Sequence, residues 1–200
     1  MTRTLLHLNL FIFALTVFFP NPRPTQAIGN ADHALPGFAA FDKSVRNNDV
    51  DAVRGVYVQD VLALPVVQQP ADNPYYVSNY NGEVTQFSIA SRYGNIGLLA
   101  HNNLSGEFFS QLTVGQEVRL VYGDGRVDHF VVAQIMHFQA LQPESVSSSF
   151  RNLDRNEILS AGEMFSRAYV GEHRLVLQTC IEAKGSASWG RLFIVALPKG

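Results

Sequence analysis

One thiol, one upstream imidazole and one guanidinium each stand at the edge of an apolar, strand-like run in this chain. The single cysteine, Cys180, closes LVLQTC at 175–180; Arg191 opens RLFIVAL at 191–197; His101 closes IGLLAH at 96–101. These are the parts of a cysteine acyl-transfer site. The thiolate is the nucleophile, and an ordinary thiol with a pKa near 8.5 is mostly protonated at neutral pH unless a cation stands beside it. An imidazole can stabilise the thiolate and then hand a proton to a leaving amine. Arginine stays charged and presents five donors, so it can hold a substrate carbonyl or a developing oxyanion. The reading therefore gives His101 as general acid/base, Cys180 as nucleophile and Arg191 as substrate or oxyanion stabiliser. Around them, the Ile181 N–H, the Thr179 hydroxyl and the Trp189 ring are candidates to line the substrate site.

The elements that must position these groups are mostly β. Residues 181–190, which contain Gly185 and Gly190, read as a loop between two strands. If those strands pair antiparallel, the end of one lies beside the start of the other, and Cys180 meets Arg191. Val- and aromatic-rich runs at 53–64 and 84–90 read as strands. Glu117–Tyr122 and 127–138 flank Gly123-Asp124-Gly125, a hairpin signal because Asp-Gly tolerates positive φ. Val118, Leu120 and Tyr122 then share one face, with Glu117 and Arg119 towards water. Many short strands separated by turn chemistry point to a closed or nearly closed barrel, which removes exposed edges. Two helical pieces interrupt them. Residues 104–112 put Leu104, Phe108, Phe109 and Leu112 on one face, and Ser160-Ala-Gly-Glu163 is a capping box with Gly171 as a stop. The polar segment 142–156 reads as a surface loop or a wall of a binding groove.

Bulk composition limits the alternatives. Two hundred residues suit one domain with short extensions, and the 46% hydrophobic content can bury a core. A net charge of −2 without a basic stripe argues against nucleic-acid binding. One cysteine excludes an intrachain disulfide. At the N-terminus, Arg3, the apolar run 5–19, Pro20, Pro22 and Pro24 and then Thr25-Gln26-Ala27 read as a signal peptide over 1–27. The run is short for a spanning helix, which needs about 20 residues, so a cleaved leader is favoured over a membrane tether through residues 5–19. Either way the protein is expected outside the cytoplasm, secreted or held at the cell surface. Residues 28–49 read as a linker or arm, with one helical turn near 38–45, and the folded domain as 50–200.

LVLQTC followed by Arg191 resembles the nucleophile strand of sortases, which carry T-L-x-T-C and a downstream arginine. Ala100-His101, after an apolar strand and before a short helix, is similar to the sortase histidine segment. The run F-x-x-L-x-V-G-x-x-V through Phe109, Leu112, Val114, Gly115 and Val118 also matches. Val176 stands for the first threonine of the cysteine motif, and Ala100 for the glycine usual before the histidine. Over 50–200 the resemblance implies a mainly β fold, a sortase-like closed eight-stranded β-barrel with one or two short helices. It implies a cysteine transpeptidase that cleaves an LPxTG-like sorting signal through an acyl-enzyme and passes it to an amine. The partners it implies are an extended peptide of a secreted protein and an amine acceptor. No cofactor is expected. Some sortases bind calcium through acidic residues, but no such positions can be matched here.

Two other functions fit the same residues: a noncatalytic sortase-like peptide-binding module, and a thiol peptidase using water as acceptor. Papain-like chains place cysteine before histidine. L,D-transpeptidases share the order found here, but their Ser-x-Gly before the cysteine is replaced by Leu177-Gln178-Thr179. A lone cysteine is more often a buried, inert thiol, and it is the flanking motif that raises Cys180 above that background. His129 and His137, eight apart on one predicted strand and so on one face, lack a companion cysteine or carboxylate cluster. No metal site is read from them.

Overall fold

A computed structural model describes residues 35–145 and 147–200. The predicted leader at 1–27 lies outside the described residues, as do 28–34 of the predicted arm. Ten strands and three α-helices follow in order. They are α1 (Phe38–Val45), β1 (Val53–Val58), β2 (Leu62–Gln68), β3 (Val84–Gln86), α2 (Ser88–Ser91) and β4 (Ile96–Leu99). After a 3-10 helix at Ser105–Gln111 come β5 (Glu117–Tyr122), β6 (Val127–Ala140), β7 (Phe150–Asn152) and β8 (Ile158–Leu159). The chain ends with α3 (Ala161–Tyr169), β9 (Leu175–Ala183) and β10 (Ser186–Pro198).

Hydrogen bonding runs β10-β9-β4-β3-β2-β1-β5-β6, and β6 pairs with β10 to close the ring. Eight strands thus form a closed barrel with no free edge. β6 is long enough to pair with β5 along its first half and β7 along its last, while β10 runs along its other side. Two pairings are parallel, β2 with β3 and β4 with β9. The predicted hairpin 117–138 forms as read, and Val118, Leu120 and Tyr122 face the barrel interior.

Alternation sorts the apolar residues into two cores. Leu175, Leu177, Leu192, Ile194, Ala196 and Leu98 point inward. Val176, Phe193, Val195, Leu99, Met136 and Phe138 point outward, where Phe150 and the Met164, Phe165 and Tyr169 face of α3 cover them. At ~25 cal/mol per Å² of apolar surface buried, each large side chain so placed contributes roughly 1.5–3 kcal/mol before entropy is counted. The capping box of α3 is complete: Ser160 Oγ accepts from the Glu163 N–H, and the Glu163 carboxylate accepts from the Ser160 N–H.

Several expectations are corrected. The run 53–64 is two strands, turned at 59–61 with Asp60 at φ 60°. Residues 84–90 form only a three-residue strand before α2. The segment 181–190 is not an open loop: β9 and β10 continue past Cys180 and Arg191 and turn at Lys184-Gly185, both with positive φ. His129 and His137 lie on opposite faces. The β10 partners step from Gln134 to Val132, leaving Ala133 as a bulge, and one extra residue inverts the alternation. The bulge also lets β6 feed Phe130 and Val132 to the inner core and Met136 and Phe138 to the outer one. The segment 38–45 is a two-turn helix, and Phe41 on it is buried against Tyr57.

Candidate active site

Cys180 is level with Arg191 in the antiparallel β9–β10 ladder. On its other side β4 runs parallel to β9, with Leu99 level with Gln178. The Ala100 N–H extends this ladder by donating to the Gln178 carbonyl at 3.3 Å, which brings His101 level with Cys180. Neighbouring strands are about 4.8 Å apart, so Cys180 and Arg191 are direct neighbours, while His101 follows the end of β4 by two residues on the other side of Cys180. Residues level on adjacent strands share a face. Leu99, Gln178 and Phe193, the row beneath, point outward, and the site row does the same. Phe138, level with Arg191 on β6, continues the row. The site thus lies on the outside of the barrel wall, above the apolar cluster that α3 covers.

The His101 backbone is fixed from one side by the 3-10 helix. Its carbonyl accepts from the N–H groups of Leu104 at 3.0 Å and Gly106 at 2.9 Å. A Cβ on Gly106 would stand 2.6 Å from that carbonyl oxygen and 2.3 Å from Thr179 Oγ1, so only glycine permits this approach. The ring itself is hydrogen-bonded to the backbone of Val77, in the segment between β2 and β3. Gln69 holds that segment in place by donating to the Pro74 and Tyr76 carbonyls while accepting from Ser88. Burial pushes the His101 pKa down, and the Val77 bond opposes the shift. Asn102 donates to the Ala187 carbonyl at 3.4 Å.

Cys180 is a free, half-buried thiol. Burial raises its pKa, and the charge of Arg191 works against the rise. Burial thus disfavours the charged form of each group. Arg191 is 2% exposed. Its Nη1 donates to the carbonyls of Ser188 at 3.0 Å and Gly190 at 2.8 Å, and its guanidinium carbon lies 5.9 Å from the centre of the Phe150 ring.

Of the three expected lining residues, Trp189 lies in the stretch of β10 where the β9–β10 register shifts; it is half-buried, with Lys184 Nζ 5.8 Å from its ring. Thr179 and Ile181 alternate with Cys180 and face inward. Thr179 Oγ1 donates to the Ala100 carbonyl at 2.9 Å, and the Ile181 side chain packs on the inner core. Glu144 lies beside the start of β10, where the hydroxyls of Ser186 and Ser188 donate to its Oε1. Two site-facing groups escaped the sequence reading. The Val77 backbone carries no side-chain signal. Gln178 does: it is the one amide in an otherwise apolar run, and it lies buried directly beneath Cys180. Among the described residues no group of three His, Cys, Asp or Glu side chains could hold a metal ion.

No family model matches the chain, and no curated protein does. Solved structures similar to it include sortase A of Listeria monocytogenes, at 15% identity over 75% of this chain and 89% of that one, TM-score 0.46. A sortase D5 transpeptidase of Clostridium perfringens is 14% identical over 82% and 90% of the two chains, TM-score 0.45. Sortase C-1 of Actinomyces oris is 14% identical over 83% and 82%, TM-score 0.46.

Proposed function

We propose that this protein is a sortase-type cysteine transpeptidase acting outside the cytoplasm. The observation that carries the reading is the register that sets Cys180 level with Arg191, with His101 two residues past the end of the neighbouring β4. The closed eight-stranded barrel and the partial T-L-x-T-C motif support it. The substrate is an extended peptide lying along the outer face, beside Glu144 and Trp189.

The chemistry starts from a neutral thiol and a neutral imidazole. His101 takes the thiol proton, and Cys180 Sγ attacks the scissile carbonyl carbon, whose π electrons move to oxygen. As the tetrahedral species collapses, the C–N bond breaks and the His101 imidazolium gives its proton to the leaving amine. A thioester remains on Cys180. An incoming primary amine attacks it, loses a proton to His101, and leaves as the new amide while the sulfur takes the proton back. Arg191 stabilises the thiolate through its charge.

The test is a peptide-library cleavage assay with and without an added primary amine, with mass analysis of Cys180. Acyl-enzyme on Cys180 and an amine-dependent amide product are expected, and both should vanish in Cys180→Ala and fall about 10²–10⁴-fold in His101→Ala, with the circular dichroism of each unchanged. Release of free acid regardless of amine would make water the acceptor. Peptide binding without cleavage would leave a binding module.

A further inference from the structure

Gln178 is 2% exposed and two residues before Cys180 on the same outward face of β9. Its Oε1 accepts from the Tyr169 hydroxyl at 2.6 Å, while its Nε2 is buried with no hydrogen-bond partner among the described residues. A buried amide donor left unpaired is costly, and native proteins keep few of them.

The orientation of the amide follows from where Tyr169 comes from. A Cβ on Gly97 would stand 3.0 Å from Tyr169 Cε1, so the ring lies over Gly97. Gly97 is level with Val176, four residues below Cys180. The tyrosine therefore reaches Gln178 from the side away from the thiol and holds Oε1 on that side. Nε2, the other limb of the same planar group, is left for the side of Cys180. Residues i and i+2 of a strand are about 6.6–6.8 Å apart, a gap that an acyl group on Sγ with its carbonyl oxygen turned down the strand would bridge. On the far side of the thiol, Arg191 Nη1 is already bonded to two carbonyls of its own strand.

Resting on the acyl-transfer reading above, we propose that Gln178 Nε2 is an oxyanion donor, held by Tyr169, for acyl groups being transferred to Cys180. When Sγ bonds to the carbonyl carbon, the π pair moves to oxygen, and Nε2–H hydrogen-bonds the resulting oxyanion. When the pair returns, the leaving group departs and Nε2 stays bonded to the thioester oxygen.

Two reagents separate this role from a structural one. p-Nitrophenyl acetate acylates a thiol through an oxyanion and releases p-nitrophenolate; iodoacetamide alkylates it by displacement, without one. The full chain is compared with Gln178→Met and with the Gln178→Met/Tyr169→Phe double variant, in which both ends of the Gln–Tyr hydrogen bond become apolar so that the fold is kept. The Cys180→Ala rate is subtracted throughout. Acylation should fall about 10²-fold in both variants, with alkylation changed by less than about twofold. Tyr169→Phe alone should give a smaller loss. An unchanged ratio of acylation to alkylation in the folded double variant overturns the assignment of Gln178 and leaves the acyl-transfer reading standing. A wild-type acylation rate equal to that of Cys180→Ala overturns the acyl-transfer reading and this one with it.

Discussion

β10 carries one cation in mid-strand and another just past its last residue, and the two are housed in opposite ways. Just past its last residue, Lys199 Nζ bonds Glu117 Oε1 at 2.9 Å in the open, and Arg119 and His129 share the same carboxylate. Roughly 26 Å away at 3.3 Å per residue, Arg191 is sealed beneath Phe150 and bonded to carbonyls of its own strand. Exposed ion pairs contribute about 0–1 kcal/mol each and are weakened by salt. Removing a guanidinium from water costs several kcal/mol, which packing alone has no reason to incur. The Lys199 charge sits in an exposed ion-pair cluster, whereas the mid-strand Arg191 charge is kept against a desolvation cost. Functional sites are where such local conflicts collect.

The largest effect that would sharpen this contrast is at Arg191. Arg191→Met should lower kcat/KM about 10²–10³-fold, the range for losing one electrostatic stabiliser. The pH midpoint of Cys180 alkylation should move further up, because the charge opposing burial is gone. Full activity in a folded Arg191→Met would erase the distinction between the two cations.

A middle-sized effect is expected from Gly106→Ala. The new methyl meets Thr179 Oγ1 and the His101 carbonyl, both held by hydrogen bonds. A loss of about 1–3 kcal/mol in urea denaturation follows from overpacking, with activity falling further because His101 is displaced. Adding Thr179→Ala relieves one of the two contacts and should restore part of the stability; no recovery would mean that the helix, not the clash, sets the cost.

The smallest effect belongs to Glu117. Its partners Lys199, Arg119 and His129 pull its pKa down to about 2 from 4.5. A carboxylate with a depressed folded-state pKa stabilises the fold above its unfolded value. That contribution is lost as pH falls from about 4.5 towards about 2. Glu117→Gln should therefore cost no more than about 1 kcal/mol at pH 7, flatten the acid limb of a stability–pH curve, and leave Cys180 alkylation unchanged. A change in thiol reactivity would show that the Glu117 cluster and the middle of β10 communicate.

What the sequence revealed and what it hid differ by the range of the interaction involved. The 117–138 hairpin and the Ser160–Glu163 cap were readable because turn chemistry and capping act within a few residues. The meeting of Cys180 with Arg191 was readable because an antiparallel partner is near in sequence. The split at Asp60 was missed because no glycine or proline marks it, and the α2 turn was hidden inside the apolar run 84–90. Inverted alternation after Ala133 depends on β10, more than fifty residues on, and so left no local trace. The Gln178–Tyr169 bond joins β9 to the end of α3 across the outer face. Only the oddity of an amide among Leu, Val and Thr announced it.

The alignment of β4 with β9 has a lasting consequence. Because the two strands run the same way and are bonded residue to residue, the positions of His101 and Cys180 relative to each other are written in the barrel wall itself. Within the chain between them the 3-10 helix holds the His101 carbonyl, whereas Glu144, farther along, bonds to the start of β10. On the proposed transpeptidase reading, peptide selectivity can drift through changes around Glu144 while the imidazole and sulfur keep their relative placement.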